Sequence, residues 1–116
     1  MKKILFAFLI LSALPLTFVF ASNYSFLNSA PAAYFNNQDW KIMMLTSQKA
    51  LNHSKDGQKT FWKNAQSGNF GYVIPSHTHK EQGTLCRDLT FFNNGDQRIN
   101  ETTYKMCKMG NEWKQV

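Results

Sequence analysis

Residues 77–79 read His77-Thr78-His79. Side chains alternate along an extended chain, so both imidazoles of this triplet point to the same side. Paired neutral imidazoles are ligands for zinc, copper or nickel, but a tight site needs a third or fourth donor. His53 and Glu81 are the donors nearest in sequence. An ordinary polar loop between strands accounts for the same residues, so His77 and His79 stand as weak candidates and no metal is assigned. Other chemistry is sparse. Asp39, Asp56, Glu81, Asp88, Asp96, Glu101 and Glu112 are dispersed singly, and no general acid–base pair stands out. A Cys–His nucleophile needs a free thiol, and Cys86 and Cys107 are the only cysteines. Their spacing is too long for a Cys-X-X-Cys redox or metal motif. There is no phosphate loop, zinc finger or dinucleotide fingerprint. No catalytic residue and no cofactor follow from the sequence.

The cysteines suggest a staple instead. They flank the turn cluster Asn93-Asn94-Gly95-Asp96, each in a strand candidate. A hairpin pairs residues whose numbers sum to a constant. For this pair the pivot falls between Asp96 and Gln97, inside or just after the cluster. Directly opposed cysteines come close enough to bridge. A disulfide closing such a loop contributes about 3 kcal/mol.

The elements that position these residues begin after an apolar leader. Lys2 and Lys3 precede an apolar stretch, Pro15 breaks it, and Val19-Phe20-Ala21 supplies small residues at a cleavage point. This is the layout of a signal peptide over residues 1–21. The alternative is an uncleaved anchor, but the stretch carries Pro15 and Thr17 and falls slightly short of a ~20-residue span. No cysteine lies near the cleavage point, so no lipid anchor is expected. Residues 22–36 read as an extended lead-in. Phe26, Tyr34 and Phe35 are scattered through it without period, and Pro31 argues against helix.

A domain follows over residues 37–116. Asn36 or Asn37 caps a helix with Asp39 in its first turn. Trp40, Met43, Met44, Ser47, Ala50 and Leu51 recur at three- and four-residue steps and define its buried face. The pattern fades before Asp56-Gly57. Strand runs then cover residues 70–74, ended by Pro75, and residues 83–92, 99–108 and 112–116. The fold class is α+β, with one helix packed on an antiparallel sheet of about four strands, because the connections are too short for parallel crossovers. Arg87 shares parity with Leu85 and Leu89 on the apolar side, where it pairs with a carboxylate or buries its stem. Trp62 and Trp113 are core anchors, with an exposed aromatic patch as the alternative.

The chain has 116 residues with a formal net charge of +6. Without Lys2 and Lys3 the charge is +4, with no run of like charge, so no nucleic-acid partner is expected. A large enzyme, a multi-pass membrane protein and a repeat array are excluded. Lys55, Lys59, Lys63, Lys105, Lys108 and Lys114 are candidates for a basic surface, though scattered lysines more often form a solvated face.

Five segments carry a resemblance. They are Ala50-Leu51, Trp62-Lys63-Asn64, Gly68-Asn69-Phe70-Gly71-Tyr72-Val73-Ile74-Pro75, Cys86-Arg87-Asp88, and Cys107-Lys108 followed by Gly110-Asn111-Glu112-Trp113. In order and approximate spacing they resemble the C-terminal domain of the bacterial 17-kilodalton surface antigen family, known from Rickettsia. The resemblance implies a disulfide hairpin, a helix-plus-sheet domain, an envelope or surface location and no known catalysis. Family members typically carry an acylated N-terminal cysteine and a glycine-zipper segment. This sequence shows neither, and Cys107-Lys108 replaces a second Cys-Arg, so the lipid anchor and the zipper are not carried over. The expectation is an exported, non-catalytic envelope protein in the periplasm or at the cell surface, with peripheral outer-membrane association open to it. The alternative is an accessory subunit of a larger envelope assembly, such as a secretion apparatus. In that reading Phe26, Tyr34 and Phe35 dock on an envelope protein partner.

Overall fold

A computed structural model describes residues 24–27 and 31–116. The leader over residues 1–21 lies outside the described residues.

Helix α1 spans Asn37–His53. Asn36 settles its start: the Asn36 side chain accepts from the Asp39 backbone N–H at 2.8 Å, and the Asp39 carboxylate accepts from the Asn36 N–H at 2.9 Å. This reciprocal capping satisfies two donors that the helix cannot satisfy itself. Met43, Met44, Ser47, Ala50 and Leu51 are buried, so the three- and four-residue stripe faces the core as its spacing requires.

Five antiparallel strands follow: β1 (Thr60–Lys63), β2 (Phe70–Glu81), β3 (Thr84–Gly95), β4 (Arg98–Met109) and β5 (Glu112–Gln115). They lie side by side in chain order. The α+β expectation holds, but the strand count is five rather than four. The additional strand is β1, whose four residues are too few to show alternation in sequence. It pairs Trp62 with Gly71 and Thr60 with Val73. Gly71 leaves room there: a Cβ would lie 2.7 Å from the Trp62 indole nitrogen.

Two strand limits also differ from the sequence reading. Strand β2 does not stop at Pro75 but continues to Glu81, so the His77 segment is strand rather than loop. β1 pairs only as far as Val73, which leaves β2 an open edge beyond it. The missing N–H of Pro75 faces that edge, where it breaks no ladder bond; the Pro75 carbonyl on the same side accepts from Gly57 at 2.8 Å. The β3–β4 turn is Asp96-Gln97 alone, both with positive φ, and Asn93, Asn94 and Gly95 belong to β3. The pivot between Asp96 and Gln97 is as expected, with Gly95 opposite Arg98 and Cys86 opposite Cys107. Gly95 serves close approach rather than the turn, since a Cβ would meet the Pro31 carbonyl carbon at 2.8 Å.

The segment that reaches Gly95 is not simply extended. Short 3-10 turns cover Ser25–Leu27 and Ala32–Tyr34, and Pro31 sits at the N-cap of the second. Tyr24, Leu27, Ala32 and Phe35 enter the same core as the α1 stripe, Trp62, Val73, Leu89, Phe91, Met106 and Trp113.

Candidate functional site

Cys86 and Cys107 are bonded, with Cα atoms 4.0 Å apart. Both are buried, and the described residues contain no free thiol. This removes a thiolate nucleophile and joins β3 to β4 at the end far from their turn.

Two single charges hold the ends of α1. At its start, Asp39 is fully buried. Its carboxylate accepts from the side chains of Asn64 and Ser67, each at 2.7 Å, from Asn69 at 2.8 Å, and from the Asn36 N–H. At its end, Arg87 reaches in from β3. It donates to the Leu51 carbonyl at 2.7 Å and the Ser54 carbonyl at 2.8 Å, so a cation meets the negative end of the helix dipole. It also donates to the Asp56 carboxylate at 2.8 Å and the Thr78 hydroxyl at 2.7 Å. The Arg87 hydrogen bond, followed by that of Thr78, lowers the Asp56 carboxyl to about 2. Both sequence options for Arg87, carboxylate pairing and stem burial, are realised at once.

Thr78 belongs to the His77-Thr78-His79 triplet. The register of β2 on β3 shifts between Ser76 and His79, so a β-bulge sits at this point. His77 has a left-handed backbone, φ 50°, a region that costs a residue with a Cβ. The bulge stacks the two imidazoles with centroids 4.3 Å apart. His79 Nδ1 lies 2.7 Å from the His77 carbonyl, and its Nε2 lies 2.7 Å from a Glu81 carboxylate oxygen. His77 Nδ1 is 3.6 Å from Asp88 across the sheet. Lys105 lies 2.9 Å from both Glu81 oxygens. Glu81 raises the pKa of His79; Lys105, and then His79, lower that of Glu81. Glu81 therefore joins the pair as the sequence allowed, whereas His53 lies at the end of α1 and is not in the cluster. Asp88 was missed. It comes near only because β2 continues past Pro75, so no local signal pointed to it. An open depression of 480 Å³ adjoins the cluster, lined by Glu81, Lys105 and the disulfide among others.

The sheet face away from α1 carries the row Phe61-Tyr72-Phe92, in register across β1, β2 and β3. Tyr72 and Phe92 stack at 4.7 Å, and Lys59 lies over the Tyr72 ring at 4.4 Å. Phe61 is 69% exposed and Ile99 62%. The exposed aromatics are thus neither Trp62 nor Trp113, both of which are buried. Of the three docking candidates, Phe35 is buried against Trp40 and Trp62, and Phe26 packs on Phe91 and Tyr104. Tyr34 is exposed, with the Arg98 guanidinium over its ring. Phe35 is buried in the protein's own core, which leaves it little surface for a partner, and Phe26 is half-buried against that core.

Among known proteins the chain is similar to surface antigens of Rickettsia. The 17 kDa surface antigen of Rickettsia amblyommatis is 42% identical over 59 residues, which cover 50% of this chain and 38% of the antigen. That of Rickettsia australis is 39% identical over 59 residues, with the same coverage of 50% and 38%. That of Rickettsia japonica is 39% identical over 59 residues, covering 50% of this chain and 37% of the antigen. The chain thus spans well under half the length of the curated relatives it matches. No family model and no solved structure matches it. Half of this chain is homologous to the rickettsial 17 kDa surface antigens, the family that its five segments resemble.

Proposed function

We propose that the chain is an exported cell-envelope protein of the surface-antigen type, with a structural or interaction role and no catalytic one. The homology to proteins named surface antigens carries this reading. The buried disulfide supports it, because such a bond persists in oxidising compartments outside the cytoplasm. The two most buried charged groups, Asp39 and Arg87, spend their hydrogen bonds on holding α1. Fractionation of cells making the native protein, with thiol alkylation before reduction, tests the proposal. Recovery outside the cytoplasm with both cysteines protected is expected. Cytoplasmic retention with both cysteines alkylated overturns it.

A second reading, a subunit of a larger envelope assembly, is favoured by the exposed Phe61, Phe70 and Ile99 on the uncovered sheet face. The native size in gently solubilised envelopes separates the two. A large particle with crosslinks on this face supports the subunit. Migration at the protein's own mass supports a free antigen-like protein, peripheral to the outer membrane or in the periplasm.

A further inference from the structure

The hydrogen bonds of His79 leave one lone pair to account for. Nδ1 lies 2.7 Å from the His77 carbonyl, which can only accept, so Nδ1 carries the hydrogen. In the neutral ring Nε2 then presents its lone pair, and it does so 2.7 Å from Glu81 Oε2. Two acceptors at that distance need a cation between them: a proton on Nε2 makes an imidazolium–carboxylate pair, and a metal ion binds there by displacing that proton. A histidine whose second nitrogen is anchored on a backbone carbonyl has the outer-shell arrangement found around metal-binding imidazoles. Donor atoms at right angles in a tetragonal sphere with bonds of about 2.0–2.1 Å lie about 2.9 Å apart, close to the spacing here, against about 3.3 Å in a tetrahedral one.

The bulge supplies the next donor. In a regular strand, side chains two residues apart are separated by about 6.6 Å. The left-handed backbone of His77 instead brings its ring to 4.3 Å from that of His79. The His77 side chain is 68% exposed and free to turn, and Asp88 stands 3.6 Å from it. Lys105 contacts both oxygens of Glu81, so it retains Oε1 when Oε2 turns to a ligand. The Cys86 sulfur lies within 4.8 Å of the His79 and Glu81 donors, but its bond to Cys107 leaves no thiolate to contribute. The donor set is therefore nitrogen and oxygen, which suits Cu²⁺ ahead of Zn²⁺.

We propose that His77, His79 and Glu81, with Asp88 at the margin, form a surface site for a divalent late transition metal ion, Cu²⁺ binding more tightly than Zn²⁺. The test is calorimetric titration of the untagged, disulfide-intact protein with Cu²⁺ and then Zn²⁺, with electron paramagnetic resonance of the Cu²⁺ form. One saturable site with nitrogen hyperfine structure from two imidazoles is expected. His79→Ala is expected to weaken it by more than the roughly 10–100-fold that loss of an outer-shell partner costs at metal sites. His77→Gly, which suits the left-handed backbone and keeps the fold, is expected to remove one imidazole from the spectrum. His53→Ala is expected to change neither reading. Binding no tighter than about 1 mM for Cu²⁺, the better-held ion in this series, overturns the proposal. So does a site unchanged by His79→Ala. Protonation of the rings with no metal uptake overturns it equally.

Discussion

The two polar clusters at opposite ends of β2 are built on opposite principles. At the Phe70 end, Asp39 is fully buried, and four donors from four residues reach its two oxygens. At the Glu81 end, His77, His79 and Glu81 are exposed or half-exposed, one backbone is left-handed, and His79 and Glu81 are held together by a single exchangeable proton. The first cluster is closed: every lone pair that matters has a donor, and the charge locks α1 to the β1–β2 loop. The second is open, held by a bulge and by neighbours that can exchange partners. Burial makes a charge structural only when its hydrogen bonds are complete, whereas exposed groups held by a proton and a lysine can exchange them for a ligand.

The strongest way to break this contrast is Asp39→Ala. It strands the side-chain amides of Asn64 and Asn69, removes a helix cap, and is expected to cost about 4 kcal/mol of stability. Asp39→Asn keeps the shape but turns one acceptor into a donor facing donors, and about 2 kcal/mol is expected. Chemical denaturation of both variants checks these values. If Asp39→Ala costs no more than an exposed cap, the node is not closed in the sense argued. Between the two Asp39 variants in size is the Cys86→Ala, Cys107→Ala pair, expected to cost about 3 kcal/mol. Its loss is expected to loosen the Thr84 end of the β3–β4 ladder, seen as faster amide exchange there than at Asp96-Gln97.

How much of this was legible depends on the range of each interaction. The helix was legible because the Asn36–Asp39 capping pair and the Met43, Met44, Ser47, Ala50, Leu51 stripe are local patterns. The cysteine register was legible because a hairpin turns a long-range contact into arithmetic about one pivot. The turn cluster overlaps the turn only at Asp96, because Asn93, Asn94 and Gly95 belong to β3 and Gly95 serves packing. Pro75 was read as a strand end because the sequence does not show which edge is left unpaired. The Asp39 node was not legible: its partners lie 25 to 30 residues away in a loop whose position only the sheet fixes. The metal candidates were half legible. Sequence placed His77, His79 and Glu81 together, but the bulge that stacks the rings, and Asp88 beyond it, follow from the pairing of β2 with β3.

A smaller effect sharpens the contrast from the open side. His77→Gly relieves the left-handed backbone at the cost of extra freedom in the unfolded chain, and a gain of about 0.5–1 kcal/mol is expected. Thermal unfolding without metal checks it. A stabilised variant that has lost an imidazole from its Cu²⁺ spectrum would show that the histidine is kept for its ring and not for the fold. A destabilised variant would mean that the ring stack outweighs the backbone strain, and that this end is less open than argued.

The smallest expected effect concerns the link between the clusters. Arg87 touches the end of α1 with one part of its guanidinium and Asp56 and Thr78 with the rest, so it ties the bulge to the helix. The Asp56 carboxyl is lowered from 3.8 to about 2 in the folded protein, first by the Arg87 hydrogen bond and then by that of Thr78. A depressed carboxyl stabilises the fold above its unfolded pKa, and that contribution is lost as the pH falls through the folded one. Stability is therefore expected to decline between about pH 4 and pH 2, with Asp56→Asn flattening this part of the profile. Asp56 is half-exposed, so the effect is expected to shrink in high salt. If the slope in this window is the same in Asp56→Asn, Arg87 holds the helix end alone, and the bulge is positioned by the β2–β3 ladder without it.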